Sequence, residues 1–257
     1  MDHSVRLGLE LPALPSGATA AEVAGWRAMA AAAEVAGFGA LWVVGDGCDA
    51  CTLAGGLVPL TRTVTLGVVA DLPGGRHPSV LARDLTGLDV LSGGRAAVLL
   101  VVPAPPAEAL DQPAGVLDEA VAICRALFSG DAAHLAGRHY SVDGAVNRPG
   151  PVRPGGPPVL AQDGNGDGAG GDGPGIRGGS AGGSGPAVDG WVITGTLDDL
   201  AAVRGAGDRP LLWRGPVPDA AAADGLLRAG VDGVVARVGS VDEVRPLAYL
   251  LLGRWPD

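Results

Sequence analysis

Apolar positions along this chain fall into two alternating rhythms. Short runs of Val, Leu and Ala bounded by Gly, Pro or charge occupy 5–11, 40–44, 64–69, 96–102, 158–161, 190–193, 210–213 and 232–236. They read as buried strands. Between them, apolar residues recur at helical spacing over 20–36, 51–60, 79–91, 115–128, 197–204, 219–229 and 241–252. Strand and helix alternating in this way mark a parallel sheet whose strands are joined by crossover helices. Eight such strands predict closure into an α/β (β/α)8, or TIM, barrel, with 1–257 forming a single domain. The helix ends carry matching signals: Thr19 and Thr196 as N-caps, Pro78 in a first turn, Gly37 and Gly230 for left-handed exits.

The rhythm fails once. Where a helix should follow the fifth strand, residues 163–185 read DGNGDGAGGDGPGIRGGSAGGSG, with almost no apolar side chain. Such a stretch cannot bury enough surface to offset the entropy of ordering it. The expectation is a flexible, disordered Gly-rich loop in place of the fifth helix, inserted within the barrel, since strands six to eight would not make a domain alone. Its Asp/Gly repeats lack the apolar positions that calcium-binding solenoid turns need for stacking.

Charge narrows the chemistry. The net charge of -10 would repel phosphates and argues against a nucleic-acid partner. All 18 basic residues are arginine, so lysine Schiff-base and Walker-type chemistry are excluded. Every apolar run is interrupted well before the roughly 18 residues a membrane span needs, and residues 1–15 show no basic stretch leading into an apolar run. A soluble, cytoplasmic protein without a membrane partner is expected. Three cysteines are too few to staple such a chain and fit a reducing compartment. Cys48-Asp49-Ala50-Cys51 is a C-x-x-C at a helix start, where a thiolate could serve redox chemistry; the preferred reading is two small residues behind the second strand. No metal site is expected, because no second Cys pair or His cluster completes a ligand set.

Arg76-His77-Pro78-Ser79-Val80-Leu81-Ala82-Arg83, continued by Leu88-Asp89-Val90-Leu91-Ser92-Gly93-Gly94-Arg95, resembles the signature of the luciferase-like monooxygenase superfamily. Shorter matches at 37–42, 63–67, 157–159 and 188–191 follow in the family's order, and 119–140 is similar to its helix and substrate-side turn. The resemblance implies an FMN- or coenzyme F420-dependent oxidoreductase or monooxygenase acting on a small organic substrate, and a homodimer packed through helices near strands two and three. It places the cofactor ring after strand three, at Val69 and Ala70, and cofactor contact after strand two. There this chain has Gly45-Asp46-Gly47, with Asp46 retained and glycine where the family commonly carries histidine. For the cofactor phosphate it implies the turns after strands five and six. The first carries Asp163, which would repel phosphate; the second is Thr194-Gly195-Thr196, with free amides at a helix start. Asp198 and Asp199 in that helix's first turn would equally suit ordinary capping, so both readings stand.

After strand four come Val101-Val102-Pro103-Ala104-Pro105-Pro106, which offer no proton donor, and no residue is assigned as catalytic acid or base. Of the histidines, His139 is the candidate for function. Trp213 and Arg214, placed just after strand seven, are candidates for the barrel mouth, with Arg214 meeting an anionic group. Two functions therefore stand: the flavin- or F420-dependent oxidoreductase, and a catalytically inactive relative, a pseudoenzyme without turnover that binds a flavin or small ligand or serves interaction.

Overall fold

The computed structural model describes residues 6–72, 74–102, 114–163, 187–195 and 209–255. Eight parallel strands close into a barrel: β1 (Leu7–Leu11), β2 (Ala40–Val44), β3 (Thr65–Asp71), β4 (Ala96–Val102), β7 (Val159–Asp163), β8 (Gly190–Ile193), β9 (Leu211–Pro216) and β10 (Gly233–Arg237). The ring closes where β10 pairs with β1. Around it lie α1 (Ala20–Ala36), α2 (Ala50–Gly55), α3 (Pro78–Ser92), α4 (Ala114–Ser129), α5 (Ala220–Arg228) and α6 (Val241–Leu252). The predicted barrel and its strand sequence are what the structure has. Among the described residues no helix is long and apolar enough to cross a membrane.

Several boundaries differ from the sequence reading, each for a physical reason. The second helix splits into α2 and a 3-10 turn at Val58–Leu60, because Pro59 has no N–H to continue an α-helical ladder. Between β4 and β7 the chain adds an antiparallel hairpin, β5 (Ala133–Ala136) and β6 (Ser141–Ala145); it is mostly exposed and therefore lacks the apolar alternation that betrays a strand. β7 and β9 run two to three residues past their predicted ends, so Gln162, Trp213 and Arg214 are strand residues. Residues 164–185 of the Gly-rich stretch, Thr196 and the helix expected at 197–204 lie outside the described residues.

Side chains alternate between two apolar layers. The outer layer, including Leu9, Leu41, Leu66, Leu100 and Val234, packs against the helices. The inner one, including Ala40, Trp42, Leu99, Leu160, Leu212 and Val235, fills the barrel. The Trp42 indole dominates this interior and is fully buried. Glycines make room for it: a Cβ on Gly8 would lie 2.7 Å from its Nε1, and one on Gly67 only 2.3 Å from its Cε3. Both contacts are far inside van der Waals distance. Gly67→Ala should therefore destabilise the fold by about 1–3 kcal/mol through overpacking, read as a lowered midpoint in urea unfolding; an unchanged midpoint would show that the indole can move aside.

The helix ends follow the sequence signals. Thr19 and Glu22 form a reciprocal capping box, Gly37 closes α1 at φ 89°, and Pro78 opens α3. The second half of the family-like motif builds a polar knot at the barrel's N-terminal end. Asp89, buried in α3, accepts the Val152 and Arg153 amides at 2.7 and 3.1 Å. Arg95, entering β4, donates to the Ser92 and Val64 carbonyls and the Thr61 hydroxyl at 2.8 to 3.0 Å. These residues staple loops and lie on the stability face of the barrel, away from the strand C-termini where chemistry is housed.

Candidate functional site

At the C-terminal mouth, the alternation of each strand decides what faces inward. Val44, Val69 and Val101 follow Trp42, Gly67 and Leu99 on the inner face of β2, β3 and β4 and form an apolar wall. Across the barrel, Gln162 follows Leu160, Arg214 follows Leu212 and Arg237 follows Val235, while Glu10 follows Gly8. These four, three of them charged, form a polar wall. Glu10 is ion-paired through Oε2 with the Nε of Arg214, with side-chain exposures of 8% and 11% respectively. Gln162 Oε1 accepts from Arg214 Nη1 at 3.1 Å, and Arg237 Nε lies 3.3 Å from Glu10 Oε1. A buried carboxylate thus has two guanidinium partners, and one of those is held in turn by an amide.

The loops around this mouth are cross-tied. Gly47, at φ 74°, would carry a Cβ 2.2 Å from Ser16 Oγ, so the loop after β2 lies directly on the loop after β1. Asp49 caps α2 through the Thr52 amide at 2.7 Å and meets Arg76 Nη2 at 3.1 Å, and Arg76 also pairs with Asp84. His77 caps α3 by accepting from the Ser79 amide at 3.2 Å, and its ring meets Tyr140 edge-on, centroids 5.4 Å apart. Tyr140 is at the far side of the hairpin tip, which Glu119 of α4 gathers in: its carboxylate accepts the backbone amides of Arg138, His139 and Tyr140 at 2.8, 2.9 and 2.8 Å. His139 is thus held at the tip through its backbone.

Burial alone would raise the Glu119 carboxyl, but the three amide donors outweigh it and hold the group below its ordinary value of 4.5. The unfolded chain therefore binds this proton more readily. The stability it contributes is complete above the unfolded value and is lost as pH falls through the lower folded one. Glu119→Gln should be less stable than the parent by about 1 kcal/mol at neutral pH, a figure reduced for solvent screening, and the gap should close as the pH falls below the ordinary carboxylate value. Parallel unfolding curves over that fall in pH check it; a gap independent of pH would refute the ionic role.

The structure brings some predicted site residues together and separates others. Val69 belongs to the inner wall, whereas Ala70, its neighbour on β3, packs outward against the helix layer. Asp46 is exposed on the loop after β2. Thr194 and Gly195 follow β8, half-buried, and the Gly195 carbonyl accepts from Trp213 Nε1 at 3.1 Å. Thr196 lies outside the described residues. One placement from the sequence needs correction, since Trp213 sits within β9 and packs into the outer layer; Arg214 does reach the mouth, where the anionic group it meets is the chain's own Glu10. Cys48 is exposed and Cys51 is buried; burial first, then the Asp49 and Asp84 charges, push the Cys51 thiol up to about 12, which suppresses the thiolate that redox exchange requires. Glu10 and Arg237 were missed. The available signal was a lone charged residue two positions beyond an inward small or apolar residue, near a strand's C-terminal end.

A family model described as luciferase-like monooxygenase matches residues 7–167. Among solved structures, the chain is similar to the coenzyme F420 dependent tetrahydromethanopterin reductase from Methanopyrus kandleri, with a TM-score of 0.71 at 13% identity over 98% of this chain and 99% of that one. It is similar to monooxygenase RslO1 from Streptomyces bottropensis, at a TM-score of 0.65 and 16% identity over 98% of both chains. A third likeness is to the oxygenating constituent of 3,6-diketocamphane monooxygenase from Pseudomonas putida, solved in complex with FMN, at a TM-score of 0.57 and 15% identity over 86% of this chain and 71% of that one. At these identities the structural likeness is one of fold.

Proposed function

The chain belongs to the luciferase-like monooxygenase family, and from that membership we propose that it is an oxidoreductase using a flavin-type cofactor, FMN or coenzyme F420, on a small organic substrate. The observation that carries this reading is the two-walled mouth. A flavin or deazaflavin ring has apolar faces and a hydrogen-bonding edge, and the apolar Val44, Val69 and Val101 stand opposite Arg214 and Gln162. The residues present therefore fit such a ring. Neighbours of the same fold include one whose reaction depends on F420 and one that holds FMN.

In this reading Val69 lies against the ring and the Ala70 backbone continues that support, while Asp46 borders the ring from the loop after β2. Thr194, Gly195 and Thr196 receive the phosphate on their amides and hydroxyls. When bound, the cofactor supplies hydride transfer or oxygen activation. Arg214 sets a positive charge and donors at the polar edge, where Glu10 and Gln162 keep its guanidinium from swinging. The apolar wall keeps water from the face it covers. Family analogy extends the reading to a cytoplasmic homodimer packed through α2 and α3.

Titration of the purified protein with oxidised FMN and with F420, followed by fluorescence, tests it. One of the two should bind, and failure of both at high micromolar concentration would overturn the proposal. Thr194→Glu should weaken the cofactor that binds at least tenfold, since a carboxylate beside a phosphate is repelled by more than 1 kcal/mol even when partly solvated; unaltered affinity would move the phosphate elsewhere.

One observation favours a second reading, a family relative that binds a flavin or small ligand without turnover. Glu10 is the inward-facing buried carboxylate among the described residues, and two guanidinium groups already occupy it, so its oxygens are engaged within the chain itself. A protein that binds FMN yet consumes reduced FMN no faster than buffer would establish this alternative.

A further inference from the structure

We propose that Arg237, beside the Glu10–Arg214 pair, anchors an oxyanion subsite for the substrate, so that the organic molecule turned over at this mouth carries a carboxylate or sulfonate. The inference rests on the oxidoreductase reading and names the substrate class of the same site.

The argument starts from an excess of charge. Glu10 is one carboxylate, and two guanidinium groups face it from adjacent strands. A buried acid needs one such partner and a few donors to be satisfied, and Arg214 with its Gln162 brace already provides that. Arg237 is additional. Its side chain is 50% exposed, and its Nε lies 3.3 Å from Glu10 Oε1. The two terminal nitrogens of Arg237 and the Nη2 of Arg214 have no hydrogen-bond partner among the described residues. The cluster is thus a +1 centre with spare donors, opening on the mouth of a chain whose net charge is -10.

Guanidinium forks match planar and tetrahedral oxyanions in a bidentate way that an ammonium does not, and a positive centre in a cleft with low-dielectric walls concentrates small anions. The value of the charge narrows the class: +1 balances a monoanionic carboxylate or sulfonate, and balances a phosphate ester dianion only in part. Position separates it from the cofactor phosphate. That group is assigned to the turn after β8, whereas Arg237 stands on β10, two strands along the wall, about 10 Å away at the usual strand spacing. The apolar wall of Val44, Val69 and Val101 lies across the mouth, so a ligand with an apolar body and an anionic end is complementary to the whole opening.

The test uses benzoate and benzenesulfonate as probes and benzamide as the neutral control, measured by calorimetry at fixed ionic strength. Both acids should bind saturably and at least tenfold more tightly than benzamide. Arg237→Gln should bring them down to the benzamide level, and Arg237→Lys should restore part of the difference; this pair also controls for misfolding, because both remove the fork and only one removes the charge. Absence of any preference for the acids, or a preference untouched by Arg237→Gln, would overturn the subsite. FMN and riboflavin complete the experiment. Arg237→Gln should bind both as the parent does. Loss of FMN binding with riboflavin binding intact would assign the arginines to the cofactor's phosphate and defeat the substrate assignment. If neither FMN nor F420 binds the parent, the cofactor reading falls, while the acid-against-amide comparison still decides the subsite.

Discussion

Arg214→Leu should lower the stability of the barrel by about 3–5 kcal/mol, because removing one member of a buried ion pair strands the other in a low-dielectric site. Glu10 would then lie deep in the mouth with only Arg237 left, and Arg237 is half in water, so screening places the loss toward the lower end. Glu10→Leu should cost a similar amount for the converse reason: Arg214 would keep only Gln162, an acceptor without charge. Replacing both by leucine should be milder than either single change, since neither charge is then left unpaired. Urea unfolding of the four proteins measures all of this as one cycle. Single losses below about 1 kcal/mol would mean that water reaches the pair and that the mouth is wetter than its burial implies.

That pair also marks where a sequence stops being legible. The alternation of apolar runs and helical stretches locates every barrel strand, because each strand's burial is written in its own few residues. Glu10 and Arg214 are 204 positions apart, and only closure of the ring between β1, β10 and β9 brings them together. In the run Leu7–Leu11 a single glutamate carries no sign of a partner. The same polar residues misled the strand limits. Gln162 and Arg214 break an apolar run and so read as the start of a loop, yet both continue the inward alternation as polar members of a strand. Ala70 shows what strand geometry adds to a motif. Its neighbour Val69 faces inward, and strand geometry sends Ala70 to the other layer, a distinction that a motif spanning both residues does not make.

The family-like motif Leu88–Arg95 is the most legible stretch of the chain, and Asp89→Ala is expected to show what it does. Asp89 is wholly buried, and one carboxylate oxygen accepts two backbone amides, Val152 and Arg153, from the segment that leads into β7. Hydrogen bonds to a charged acceptor are worth about 1.5–3 kcal/mol each, so alanine should remove about 3–5 kcal/mol by leaving both amides without that acceptor and opening a small void. The loss belongs to the N-terminal end of the barrel, a full strand length from Arg214 and Val69. Ligand affinity at the mouth should therefore stay within about twofold of the parent, provided it is measured under conditions where the variant is folded. A variant that keeps its unfolding midpoint would show that water replaces the carboxylate. One that folds but binds FMN or F420 many times more weakly would connect the motif to the site. The expected pattern, a large fall in stability with unchanged binding, would mean that the residues by which this family is recognised hold the scaffold, while its chemistry is set by the inward positions at the other end of the same strands.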